Sequence, residues 1–341
     1  MTTATSSTPQ RHNPPDGSPT PPADGRRGRK PMTASRRTNR AGLAFVSPTF
    51  LVVLVVVVLP ILWTVLLAFQ HAKLVDIQGM GLFGNWSLRN FEQVFDSAGF
   101  WSSLGTTVLY TVGGTFGSVA LGLVAALALR RPFRGRGLLR AAMLLPYVAP
   151  VVAVAFVWEV ALSPQYGIVN EWGQKLFGWD DPIAFLSARS YEVHLLGVHF
   201  DIPLALLTVI AFECWRYFPF AFLFILARLQ AVPDGLEEAA KVDGATPTQQ
   251  FRHVLLPQLM PVIALLCVLR FIMTFNKFDD VYLLTGGGAG TDVAAVRVYD
   301  FLTSRYDVGA AAAQALVLAV ALMVLLGLYF KFFGNKMQEE S

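Results

Sequence analysis

Six stretches of the chain are apolar for longer than the roughly 20 residues that an α-helix needs to cross a hydrocarbon layer. They lie at about residues 43–69, 103–129, 139–162, 202–226, 259–284 and 308–333. In hydrocarbon every backbone amide must be satisfied within the protein, and runs of this length suit helices, not barrel strands of about 10 residues. The expected fold is an all-α membrane protein with six transmembrane helices. Composition agrees: only 15% of residues are charged, against about 25% in soluble proteins. Cys214 and Cys267 both fall within apolar runs, so they are expected to be small core residues without a disulfide, and no Cys/His spacing predicts a metal site.

Residues 1–40 are rich in Pro, Ser, Thr, Gly and Arg and poor in large apolar side chains, which predicts a disordered basic tail ahead of a six-span domain at 41–341. Arg26, Arg27, Arg29, Lys30, Arg36, Arg37 and Arg40 sit beside the first span. There they act as an orientation signal and a contact for anionic lipid, with no nucleic-acid role expected. Six spans put both termini on one side. Assigning that side to the cytoplasm places about 18 Lys/Arg inside against about 7 outside, as the positive-inside rule requires. The polar segment between the fourth and fifth spans is then cytoplasmic.

That segment, 232–257, has the most local order of any polar stretch. Asp234 with Glu237 has the spacing of a capping box, Thr246 with Gln249 repeats it, and Pro247 suits the first helical position. Gly244 is expected to close the first short helix, and Pro257 to limit the second. A helix-turn-helix finger follows. Its sequence, Glu238-Ala239-Ala240, three residues, Gly244, nine residues, Val254-x-Leu256-Pro257, resembles the EAA signature of permease subunits of bacterial ABC importers, with Val254 for the usual isoleucine. The resemblance implies a type I importer permease fold with a cytoplasmic coupling loop that docks on an ATP-hydrolysing partner. Glu237, Glu238, Ala239, Ala240, Asp243, Gly244 and Pro257 are the coupling residues it implies.

Further segments resemble the sugar-importer members of that family: Gly84 to Phe95 after the first span, Pro164 to Asn170, and Trp215-Arg216-x-x-Pro219-Phe220. Thr285-Gly-Gly-Gly288 matches a T-G-G-G-P segment except that Ala289 stands for proline. Gly286 to Thr291 is no phosphate loop, because no Lys-Ser/Thr follows it. Glu159, Glu213, Arg216 and Arg270 fall inside spans, where an ionisable group is costly unless paired or wet. Glu213 and Arg216, three apart, are placed to pair on one helix face. Thr274 to Tyr282 is too polar to face lipid and resembles the F-N-x-F-D stretch of maltose-type permeases. Trp215, Arg216, Phe275, Asn276, Phe278 and Asp279 are therefore the candidate solute path, with ring faces for a sugar and polar groups for its hydroxyls.

The implied function is ATP-driven import of a sugar or oligosaccharide across a bacterial plasma membrane. The implied partners are a second permease subunit, an ATP-binding subunit dimer and an extracytoplasmic solute-binding protein. No catalytic constellation is present in the sequence and no cofactor is expected, ATP being bound by the partner. A secondary transporter, or a permease for a non-sugar solute, is the alternative.

Overall fold

A computed structural model describes residues 45–75, 86–195 and 198–338. The chain divides into two units, Met1–Leu59 and Pro60–Ser341; the basic tail lies outside the described residues. Within the first unit the described backbone is helical, with a π-turn at Leu54–Val58, and its large side chains are exposed, as a lipid-facing helix requires. Among the described residues five helices are long and apolar enough to cross a membrane. They are α1 (Phe45–Ala68), α3 (Phe100–Ala128), α7 (Leu204–Gln230), α9 (Pro247–Phe275) and α12 (Val308 onward, ending at Gln338). The third apolar run forms a pair, α4 (Arg136–Val148) and α5 (Val151–Ala161), bent by 96° at its break, which makes a sixth span if the two halves count as one. Between these lie α2 (Arg89–Asp96), α6 (Ile168–Phe177), α8 (Asp234–Val242), α10 (Asp279–Thr285) and α11 (Ala294–Thr303).

The third apolar run is thus not one straight helix. Pro150 has no N–H for the carbonyl of Pro146, and it biases Ala149 to extended backbone (ψ 144°). The stretch from 163 to 203 between the third and fourth spans also holds structure. Besides α6 it contains β1 (Tyr191–Leu195) paired antiparallel with β2 (Val198–Ile202), Tyr191 opposite Ile202, so the helix of the fourth span begins at Leu204 and not at 202. Asn170, 3% exposed, pins this region. Its Nδ2 donates to the carbonyls of Ser163 (3.2 Å) and Ile183 (3.0 Å), and its Oδ1 accepts from the Ile183 amide at 2.7 Å. Asn170→Ala is expected to cost about 1–3 kcal/mol by stranding these backbone groups, seen as a lower unfolding midpoint of the detergent-purified protein. Asn90 does similar work, donating to the carbonyls of Ala68 and Gln70 at 2.8 Å each.

The centre of the second unit is the α3/α7 pair, which approaches closely along glycines. A Cβ on Gly122 would sit 2.6 Å from the Ala221 Cβ and 2.8 Å from the Phe222 amide, and one on Gly114 would sit 2.7 Å from the Glu213 Cγ. Small residues let membrane helices pack backbone to backbone in this way. Two apolar clusters stack along the pair. One includes Leu206, Val209 and Phe212 with Tyr110, and the other Phe222, Ile225 and Leu229 with Val119 and Ala126. The interval between them on α7, residues 213–217, is polar.

Candidate functional site

Tyr217 is the middle residue of α7, and the buried charges gather around it. Glu213 and Arg270, both fully buried, form an ion pair of 2.5 Å between α7 and α9. The Thr274 hydroxyl donates to the same carboxylate at 2.9 Å and the Tyr110 hydroxyl at 3.0 Å, while Arg270 Nε donates to Ser118 at 3.3 Å. The expected Glu213–Arg216 pairing is not formed. Arg216 points away, donating to the carbonyls of Pro146 (3.4 Å) and Ala149 (3.2 Å), with Asp280 3.9 Å from its Nε. A guanidinium has five donors in a planar fork, so one side chain serves both carbonyls freed where the third span breaks.

The fifth span breaks at the same level. Helix α9 ends at Phe275, and α10 starts at Asp279. Lys277 in the gap bonds the Tyr217 hydroxyl and lies 3.1 Å from Asp279 and 3.6 Å from Asp280. Arg270 and Lys277 also lie over the Tyr217 ring at 4.3 and 4.6 Å. The cluster places three basic side chains, Arg216, Arg270 and Lys277, among three acidic ones, Glu213, Asp279 and Asp280. Among the described residues no group of three or more His, Cys, Asp or Glu side chains converges as metal ligands would.

The six solute-path candidates are not equivalent. Asn276 is exposed and bonded to its own helix at Ile272; Asp279, partly exposed, pairs with Lys277. Phe278 stacks with Tyr282 (5.0 Å) and meets Tyr299 at a tilt (4.7 Å). Trp215 packs on Trp158 at 5.5 Å, and Arg216 and Phe275 are buried within the chain, where they shape the site without lining an open face. Lys277, Tyr217 and Asp280 belong to the cluster although spacing alone did not single them out. In the glycine-rich turn, the Thr285 and Thr291 hydroxyls bond at 2.6 Å and Ala289 has φ 51°, an angle proline cannot adopt. Burial pushes the Asp292 carboxyl up, opposed by Arg297 at 3.2 Å.

Residues 118–338, more than half of the chain, match the family described as binding-protein-dependent transport system inner membrane component. The chain is 38% identical over 251 residues to the inner membrane ABC transporter permease protein YcjO of Escherichia coli, covering 72% of this chain and 80% of that protein. It is 32% identical to the trehalose/maltose transport system permease protein MalF of Thermococcus litoralis, covering 80% and 85% of the two chains. The crystal structure of a bacterial ABC transporter involved in import of the acidic polysaccharide alginate superposes with a TM-score of 0.72 at 20% identity, covering 91% of this chain and 99% of that one. This chain is an ABC transporter permease. It is a multi-pass inner-membrane component, and the family is one of transport subunits, not enzymes.

The permease's finger differs in detail from the expectation. Helix α8 starts at Asp234 itself with Pro233 as N-cap, so Asp234 stands one place inside the helix and not at the cap position that the expected Asp234/Glu237 box needs. Glu237 instead receives both guanidinium nitrogens of Arg130, at 2.6 and 2.8 Å. The second box forms as expected: Gln249 N donates to Thr246 Oγ1 and Thr246 N to Gln249 Oε1, with Pro247 at the first position. Gly244 has φ 78°, the left-handed closure that favours glycine. Pro257 does not end the second helix. A π-turn at Phe251–Leu255 carries the helix through into the fifth span. The wider turn draws the upstream carbonyls away from the proline ring. Glu238, Ala239, Asp243 and Gly244 are exposed and Ala240 half-buried.

Proposed function

We propose that this permease is the membrane subunit of a sugar or oligosaccharide importer, with α8 as its cytoplasmic docking helix and both termini on the cytoplasmic side. The observation that carries the docking role is the finger itself. A short helix exposing Glu238 and Ala239, closed at Gly244 and running on through α9 into the fifth span, is built to be held by another protein and to move a span. The sugar class rests on relatives named for trehalose/maltose and trehalose transport. In this reading an ATP-binding subunit dimer grips α8, a second permease subunit completes the path, and an extracytoplasmic binding protein delivers the solute. The permease needs no cofactor of its own. Asn276, Phe278 and Asp279 offer polar and aromatic groups where the fifth span is broken. Irregular backbone at membrane depth is tolerated where it is enclosed by protein or lines a wet cavity, and such breaks occur at transporter binding sites.

The test is Gly244→Pro. Proline cannot take a positive φ and removes the amide that donates to the Lys241 carbonyl at 3.0 Å. Co-purification of the ATPase and solute-stimulated ATP hydrolysis are expected to be lost. Both unchanged in that variant would sink the docking role.

A further inference from the structure

Helix α8 is exposed along most of its length, at Gly235, Leu236, Glu238, Ala239, Lys241 and Val242, and it is joined to its neighbours through Pro233 at one end and Gly244 at the other. A helix so placed swings freely unless something holds its side. Arg130, two residues beyond the end of α3, does so. Its two terminal nitrogens meet the two Glu237 oxygens in a fork at 2.6 and 2.8 Å, and both side chains are about four-fifths covered (18% and 20% exposed). The base of the fork is itself anchored. Arg136 donates to the Arg130 carbonyl at 3.1 Å and Arg140 to the Leu129 carbonyl at 2.8 Å, occupying acceptors that the end of a helix leaves open. Along α3 the same helix carries Ser118 and Tyr110, which bond Arg270 and Glu213 in the central cluster.

We propose that Arg130 is a positioning residue for energy coupling. The fork makes α8 and α3 move as one body, so that displacement of the docking helix reaches Glu213 and Arg270 through α3 as well as through α7 and α9. Chain joints at its two ends leave a helix free to roll about its own axis. A side contact on a further span fixes that roll, and a bidentate guanidinium–carboxylate pair fixes orientation where a lysine's point charge does not. The inference rests on α8 being the docking helix, and it adds the element that stiffens it.

The experiment uses the whole transporter in proteoliposomes and reads solute taken up per ATP hydrolysed. Arg130→Gln is expected to retain the ATPase, since Glu238, Ala239 and Ala240 are untouched, yet to lower that ratio at least about fivefold, the small end of a coupling between distant sites. Arg130→Lys is expected to fall between. The charge swap, Arg130→Glu with Glu237→Arg, is expected to recover about half of the loss, as contacting pairs do in a double-mutant cycle. A wild-type ratio in Arg130→Gln overturns the proposal. Where the single variants do not assemble, the swap decides: restored assembly and ratio support the brace, and a swap as poor as the singles overturns it. Wild-type transporter lacking solute-stimulated hydrolysis would instead sink the importer reading, so the two failures are distinct.

Discussion

Arg270→Met is expected to destabilise the permease by about 3–5 kcal/mol, because it leaves the Glu213 carboxylate buried and without its cation. Glu213 is 0% exposed, and the Thr274 and Tyr110 hydroxyls that remain on it solvate a charge poorly. The double variant Arg270→Met with Glu213→Gln removes both charges, keeps a carbonyl acceptor for one hydroxyl and gives the other an amide donor to accept from, so most of the loss should return. Unfolding midpoints of wild type, both singles and the double in one detergent measure the cycle. A double variant as unstable as Arg270→Met would show that packing around the arginine, not the unpaired carboxylate, sets the cost. The pair ties the fourth span to the fifth directly below the break at 276–278, so the same variants should also loosen that break.

The second large effect is steric. Gly122→Val places a branched side chain where even a Cβ would be 2.6 Å from Ala221 and 2.8 Å from the Phe222 amide. Backbone of a neighbouring helix cannot yield as a flexible side chain does, so α3 and α7 must separate. Overpacking of this kind costs about 1–3 kcal/mol or more, and the variant is expected to fail to accumulate in the membrane. Gly105→Ala is the control on the same helix. Nothing lies within 4 Å of its added methyl, and replacing a mid-helix glycine is worth about 0.5–1 kcal/mol, so its yield should match or exceed wild type. Equal yields from Gly122→Val and Gly105→Ala would mean that the helices do not touch at 122.

The difference between these glycines was not legible in the sequence. Both stand in the same apolar run, and only the placement of Ala221 separates them. What was legible was what depends on local chemistry: the apolar lengths, the Thr246/Gln249 box, the closure at Gly244 and the EAA spacing. Pairings across helices were not. Glu213 and Arg216 share a face by spacing, yet Arg270, 57 residues away in sequence, is the true partner. Arg130 is one of five arginines between the second and third apolar runs, with Arg131, Arg134, Arg136 and Arg140, and nothing in their spacing sets it apart. The β1/β2 hairpin was available in principle, since Glu192-Val-His-Leu and Val198-His-Phe-Asp alternate in polarity on either side of two residues. Within a long stretch between spans, two five-residue strands gave too weak a signal. The proline at 257 misled for a physical reason, because a proline is costly in a regular helix and tolerated after a π-turn.

That π-turn has a consequence for how the finger is aimed. An α-helix advances 100° per residue, so the one extra residue that Phe251–Leu255 accommodates offsets everything before it by about that angle relative to everything after it. The side that the finger turns outward is therefore set by residue count in this turn as well as by the Arg130–Glu237 contact. Deleting a single residue there would leave every spacing in the spans intact and still turn the far end of the rod by more than a quarter of a circle.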